Sequence, residues 1–320
     1  YPRFHIEAIT SRRDAVYPAT IVGVPPMEDA YIAKATERIF LAPIRLAIQP
    51  EVRDLYMPME GTAHNLALVS IAKRYEGQAA KVAQGLWGAG QMMFNKYLVI
   101  TPETTNLRNR EDIFRLLRGL DPKRHLIHSE GILDVLDHSS PTTGYGAKLA
   151  IDLTDIDLKR VPASLPAPRT ARPVGGVELF NTELTRETGL LILYAEWEWH
   201  ETIDVERYLA ENNIEGIKYV ALFDRGAAGH MRASDLLWLA AANTDPKRDI
   251  RLFGDVVIID ARSKRPGYGN NPKRFPNVVT SSTDTIHYVD ERWAEYGIGE
   301  LVASPSRKYR ELLRSDNAEW

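Results

Sequence analysis

The sequence contains no cysteine, so neither a disulfide framework nor a cysteine-ligated zinc or iron–sulfur site can form within it. Long apolar runs are also missing. Runs such as 190–194 (LLILY) and 256–259 (VVII) fall far short of the ~20 residues that span a bilayer. Residues 1–26 do not read as a secretory signal, and with no cysteine the expected location is the cytoplasm. Charge of one sign is scarce too: 40 Lys and Arg face 43 Asp and Glu, a net charge of −3. That balance provides no field for drawing in nucleic acid or an anionic membrane. Phosphate-cradling loops are absent. Gly23, Gly85, Gly88 and Gly90 build no strand–GxGxxG–helix unit, and no GxxxxGK[ST] run occurs, which excludes nucleotide binding through those motifs.

What is present suits a packed core: 44% of the 320 residues are hydrophobic and 26% are charged. At ~100–200 residues per domain, this predicts two domains. Residues 4–10 (FHIEAIT) and 19–24 (ATIVGV) read as strands separated by a polar turn at 11–14. Two short strands cannot bury a core. Because the first residue is Tyr1 and 3–8 (RFHIEA) reads as mid-strand, the chain is expected to be cut from a longer polypeptide that supplies the rest of that sheet. A helix is predicted from Glu28 to Ile48. Its apolar face would be Ile32, Ala35, Ile39, Leu41 and Ile44, with a kink at Pro43 and an end at Gln49.

From Glu51 onward, strands and helices alternate, as in an α/β layer structure. Strands are predicted at 65–71, 97–101, 190–194, 219–223 and 256–259, and helices at 78–87, 110–119, 204–212 and 234–242. Residues 161–176 hold four prolines and two glycines and read as a linker. The order of elements repeats across it. The run DPKR at 121–124 recurs at 245–248, Lys96–Tyr97 recurs as Lys218–Tyr219, and Asp137 with GYG at 144–146 recurs as Asp260 with GYG at 267–269. Offsets of 122 to 124 exceed the ~20–50 residues of solenoid repeats and indicate two copies of one α/β unit, 51–156 and 175–285. Short helices are expected near 287–297 and 304–314 in an aromatic tail.

Five segments in series carry a family resemblance: 1–15 (YPRFHIEAITSRRDA), 20–29 (TIVGVPPMED), 57–64 (MPMEGTAH), 85–101 (GLWGAGQMMFNKYLVIT) and 133–141 (LDVLDHSSP). They closely resemble successive segments of UbiD-type, prenylated-FMN-dependent decarboxylases, over about residues 1–152. The resemblance implies an α/β fold in which the first unit is the family's carboxy-terminal α/β domain, and the internal repeat makes two tandem copies of it. These would follow the last strands of a split β-barrel that binds flavin (1–26) and a connecting helix (27–50). The first oligomerisation-type domain would be 51–156, followed by a proline-rich linker (157–174), a second copy (175–285) and the tail (286–320). One such domain is the family's usual pattern, so the second copy is a departure. It could reproduce within one chain the contact that single-copy relatives make between subunits.

The resemblance further implies non-oxidative decarboxylation of aromatic or α,β-unsaturated acids, with a polyprenyl-hydroxybenzoate of ubiquinone or menaquinone biosynthesis as one candidate. The cofactor would be prenylated FMN with a divalent metal, Mn or Mg, and K. Implied partners are an amino-terminal flavin domain, a flavin prenyltransferase that supplies the cofactor, and further copies of the chain. The family's catalytic arginine and two glutamates have no counterpart in this sequence, so this chain is expected to hold no catalytic residue and retain no flavin. What carries over is pocket wall: Val52, Leu55, Met92 and Leu133. The alternative is a non-catalytic assembly module of a degenerate member.

Several other groups admit two readings. Glu60 and His64, four apart, could form an acid–base or metal pair, but Pro58 and Gly61 argue for a turn stabilised by Glu60. His125, His128, Asp134, Asp137 and His138 are the densest set of possible ligands, yet such residues at a turn and strand end usually satisfy backbone groups. In 196–200 (EWEWH), two tryptophans would share one face of a strand, with Glu196, Glu198 and His200 opposite. That pattern suits a stacking platform or, more simply, burial at an interface.

Overall fold

The computed structural model describes residues 2–15, 17, 19–162, 171–180, 182–195, 204–227 and 231–315. No strand forms over 4–10 or 19–24. Phe4 is 89% exposed, and Ile6 and Ile9 are also solvent-facing, because no sheet lies beside them to pair with among the described residues. Helix α1 (Glu28–Pro43) follows. Pro43 lacks the N–H that would continue the ladder, and the chain passes into a π-helical turn over Ile44–Ile48 before leaving the helix at Gln49. The buried face differs from the expected one. Ile32 and Ile39 are 60% and 65% exposed, whereas Ala30, Ala33, Glu37 and Ile44 are buried.

The reason is electrostatic as well as apolar. Buried Glu37 accepts from the Met57 backbone at 2.7 Å and pairs with Arg108 at 3.0 Å, and neighbouring Arg38 pairs with Asp54 at 2.8 Å. These contacts rotate the helix so that its carboxylate faces the first strand. A buried carboxylate is tolerable only when so paired.

The first unit comprises β1 (Val52–Tyr56), β2 (Leu66–Ile71), α2 (Gln78–Trp87), β3 (Tyr97–Pro102), α3 (Arg110–Arg118), α4 (Pro122–His125), β4 (Leu126–Ile132) and β5 (Tyr145–Asp152). The second comprises β6 (Val177–Leu179), α5 (Thr182–Thr188), β7 (Leu191–Ala195), α6 (Val205–Glu211), β8 (Tyr219–Asp224), α7 (Ala233–Asn243), α8 (Pro246–Asp249), β9 (Ile250–Phe253) and β10 (Val256–Asp260). The tail adds α9 (Thr283–Glu291), α10 (Trp293–Tyr296) and α11 (Ser306–Tyr309). Each unit builds a five-stranded mixed sheet. The orders, β1-β2-β3-β5-β4 and β6-β7-β8-β10-β9, are the same topology written twice. In each the central three strands are parallel and both edge strands run antiparallel.

Strand register corrects part of the repeat. Ile100 pairs with Asp152 and Leu222 pairs with Asp260, so the counterpart of Asp260 is Asp152 and not Asp137. The first GYG opens β5, whereas the second lies beyond β10. Their match is therefore not structural. The two copies differ in the hairpin joining their last two strands. It is a long loop over 133–144 in the first copy and a two-residue turn, Gly254–Asp255, in the second. DPKR does repeat in structure: Asp121 and Asp245 each cap a one-turn helix by accepting from Lys123 and Lys247 backbone N–H groups, both at 3.0 Å.

The units pack on one another reciprocally. Tyr97 and Tyr219 begin equivalent strands. Tyr97 Oη donates to Thr244 Oγ1 at 2.5 Å, and Tyr219 Oη donates to the Leu117 carbonyl at 2.7 Å. Lys123 pairs with Asp255 at 3.1 Å, and its counterpart Lys247 pairs with Glu130 at 2.5 Å. An apolar cluster crosses this seam, joining Leu68, Val99, Leu116 and Leu153 of the first copy to Val257 of the second. Such mutual contacts between like surfaces have the form of an isologous interface within one chain.

Candidate functional site

The expected pocket-wall residues begin in β1, where alternation turns Val52 and Leu55 inward across a register shift between Val52 and Asp54. Met92 comes from a 3-10 turn over Gly90–Phe94. All three join one apolar cluster with Val69, Leu86 and Leu98, beneath α2. Leu133 is equally buried but lies across β5 from them, against Gly146, where a Cβ would stand 2.9 Å from its Cδ1. The structure thus gathers Val52, Leu55 and Met92 and leaves Leu133 separate.

Glu60 sits in a 3-10 turn, Met59–Gly61, followed by left-handed Thr62 and Ala63, so no helical face joins it to His64. Its carboxylate accepts from Arg110 at 2.5 Å. Burial pushes the His64 imidazole down, against the pull of Asp134 and Asp137. The dense ligand set is dispersed. His125 Nδ1 accepts from the Asp121 N–H at 3.0 Å, Asp134 accepts from Leu136 N–H at 2.9 Å, and His128 lies in β4 opposite Leu149. Among the described residues no group of three or more His, Asp or Glu could hold a metal. Residues 196–200 lie outside the described residues.

A different constellation forms where the long 133–144 hairpin meets the second copy. Lys96 Nζ lies 2.7 Å from Asp137 Oδ2 and donates to Ser139 Oγ at 2.9 Å. Ser139 Oγ is also 2.6 Å from Asp137 Oδ1 and 3.0 Å from the Thr244 carbonyl. Burial raises the Asp137 carboxyl, but Lys96 and Ser139 outweigh it and hold the group down at about 2. Next to it, His138 Nε2–H donates to Asn243 Oδ1 at 3.0 Å, and its ring meets Phe275 edge-on at 4.7 Å. Burial lowers this imidazole to about 4. Lys148, pushed down by burial to about 8, donates to the carbonyls of Met93 and Asn95 at 2.8 and 2.5 Å.

A serine, a lysine and an aspartate in contact can serve nucleophilic chemistry. Here they are buried and held by one another and by the Thr244 carbonyl, so the group joins the copies. Residue order singles out Asp137 and His138 but not Lys96 or Ser139 as their partners. The signal for Lys96 is its place directly before a buried strand, where a lysine needs an anion.

Residues 30–153 match the family described as the 3-octaprenyl-4-hydroxybenzoate carboxy-lyase C-terminal domain. Over these residues, its first α/β unit and the leading helix, the chain is similar to the UbiD-type carboxy-lyases. An uncharacterised protein of Archaeoglobus fulgidus is 46% identical over 156 residues, covering 48% of this chain and 32% of that one. One from Helicobacter pylori is 31% identical over 305 residues, covering 91% of this chain and 47% of its own length. The chain therefore spans less than half the length of these relatives. Among solved structures, the vanillic acid decarboxylase of Sedimentibacter hydroxybenzoicus in open form is 24% identical, with a TM-score of 0.38, covering 47% of this chain and 32% of that one. The UbiD-class enzyme HmfF from Pelotomaculum thermopropionicum in complex with FMN is 24% identical, with a TM-score of 0.34, covering 45% and 31%. The UbiD-type domain lies within the first α/β unit and its leading helix, and the Helicobacter similarity extends into the second. No helix among the described residues is long and apolar enough to cross a membrane.

Proposed function

We propose that this chain is the carboxy-terminal, assembly-forming part of a non-oxidative decarboxylase acting on aromatic or α,β-unsaturated carboxylic acids. The observation that carries this reading is the match of residues 30–153 to the carboxy-lyase domain. In the whole protein, Val52, Leu55 and Met92 would back the wall against which the substrate's apolar body rests, where exclusion of water strengthens electrostatics at the reacting carboxylate. Prenylated FMN would store the negative charge released as carbon dioxide leaves. The described residues do not fit the metal that accompanies that cofactor, since no cluster of carboxylates or imidazoles among them could hold it. Proton movement and orientation of the substrate carboxylate would fall to the family's arginine and glutamates, contributed from outside this sequence.

The reciprocal seam supports a structural role for the second copy. It occupies the face through which a single unit would otherwise pair with another chain, leaving other surfaces for assembly into oligomers. A second reading, a non-catalytic assembly module, draws on the closure of the pocket wall: Val52 and Leu55 are almost wholly buried in the first unit's own core.

The test is carbon dioxide release from a panel of aromatic acids by the whole protein, co-expressed with a flavin prenyltransferase. A Leu55→Ala variant would be assayed beside it. Turnover whose substrate preference shifts in the variant is the expected result. A flavin-loaded whole protein that turns over none of the panel would favour the assembly module.

A further inference from the structure

The two copies do not close on each other completely. Between their sheets lies a chamber of about 270 Å3, walled by Leu68, Val99 and Phe114 of the first copy and Leu190, Phe223 and Leu237 of the second. Beside it is a wider cleft of about 710 Å3 that includes Met59, Arg232 and Trp238. Glu60, Arg110, Ala233 and Ser234 border both spaces. Protein interiors are packed so that voids larger than a water molecule are few. An apolar void of about 150 Å3 already stays dry and accepts a small aromatic molecule. A larger one kept at the seam of two units calls for an occupant.

The polar group at the junction indicates what that occupant carries. Glu60 is 2% exposed; Arg110 serves one carboxylate oxygen, while Oε2 is buried with no hydrogen-bond partner. A carboxylate is acceptor-only, so the unmet requirement is a donor. A second carboxylate there would be repelled by Glu60. An ammonium would bring a charge to the edge of an apolar chamber at high desolvation cost. A hydroxyl meets the need without either penalty, and Ser234 lines the same border.

We propose that the seam between the two copies binds an apolar molecule bearing a single hydroxyl group, its body in the chamber and its hydroxyl donating to Glu60. The site includes none of Val52, Leu55, Met92 or Leu133 and takes half its wall from the second copy. It therefore stands or falls independently of the decarboxylase reading.

Calorimetric titration of the chain with para-propylphenol, propylbenzene and para-propylbenzoate tests it. The phenol is expected to bind saturably at one site, more tightly than the other two. Glu60→Gln should weaken the phenol by about tenfold, the difference between a charged and a neutral acceptor, and leave propylbenzene unchanged. Ala240→Phe, which grows into the chamber from α7, should abolish binding of both, with melting curves showing that each variant is folded. Should Ala240→Phe fail to fold, a crystal of the unaltered protein soaked in the phenol decides, and density between the sheets beside Glu60 is expected. No saturable binding to the unaltered protein, no preference over propylbenzene, an unchanged Glu60→Gln affinity, or the phenol bound elsewhere would each overturn the proposal.

Discussion

Lys96 and Asp137 form an ion pair, Nζ to Oδ2 2.7 Å, with both side chains 1% exposed. Lys96 leads into the central strand β3 and Asp137 belongs to the long hairpin that only the first copy possesses. Their contact fixes that hairpin on the seam, where Ser139 reaches the Thr244 carbonyl and Arg248 donates to the Ser139 carbonyl at 2.9 Å. Removing one partner leaves the other charge buried and alone. Lys96→Met is therefore expected to destabilise the chain by about 3–5 kcal/mol, measured by urea denaturation. A loss under about 1 kcal/mol, the range of an exposed pair, would show that the two groups are not confined as described.

The same pair sets a limit at low pH. The folded Asp137 carboxyl titrates at about 2, against 3.8 for an ordinary aspartate, so its stabilisation is fully present above about pH 4 and fades as pH falls toward 2. A shift of that size corresponds to about 2 kcal/mol. Asp137→Asn should flatten the stability profile between pH 4 and 2 while lowering stability at neutral pH. An unchanged acid slope would place the relevant carboxyl elsewhere.

His138 governs a higher window. Burial holds its imidazole at about 4 against an ordinary 6.5, although the bond to Asn243 and the charge of Asp137 oppose the shift. Below about pH 6.5 the unfolded chain takes up a proton that the folded one refuses, so stability declines down to about pH 4. The decline is about 3 kcal/mol. Nuclear magnetic resonance of the imidazole should show it neutral at pH 5.5, and His138→Gln should remove this part of the slope.

The two tyrosines at the seam should report on its reciprocity. Tyr97→Phe removes the donor to Thr244 and Tyr219→Phe removes the donor to the Leu117 carbonyl. Each should cost about 1 kcal/mol, with the lost bond at the buried Tyr97 end at the upper side of that range. Because one apolar cluster spans both copies, each substitution should lower amide-exchange protection in both sheets and not only its own. Loss confined to one copy would mean that the units unfold separately.

Gly61 closes the turn that carries Glu60. A Cβ there would stand 2.8 Å from the Leu66 carbonyl oxygen and 2.9 Å from its nitrogen, and backbone atoms cannot rotate aside. Gly61→Ala should cost about 1–3 kcal/mol and loosen the Glu60–Arg110 pair. A crystal structure of the variant with that turn unmoved would contradict the expectation.

Helix α2, the strands β2, β3, β7, β8 and β10 and the duplication are legible from residue order alone, whereas β5, which opens on a glycine-flanked tyrosine, is not. Apolar periodicity and Gly/Pro punctuation act over a few residues, so 78–87 reads as a helix with the observed limits, and DPKR marks the same capped turn twice. The sequence by itself also determined the family resemblance and ruled out thiol chemistry. It did not determine which face of α1 is buried. Periodicity favours Ile32 and Ile39, but the burial of Glu37 depends on Arg108, 71 residues away, and on the Met57 backbone. Nor could sequence order show that Asp260 answers to Asp152, since only the pairing of strands gives that register. The Lys96–Asp137–Ser139 group, the reciprocal tyrosines and the chamber at Glu60 likewise belong to tertiary structure. Each is made of residues distant in the chain, whose charges and lone pairs find their partners only when two copies of one unit are pressed together.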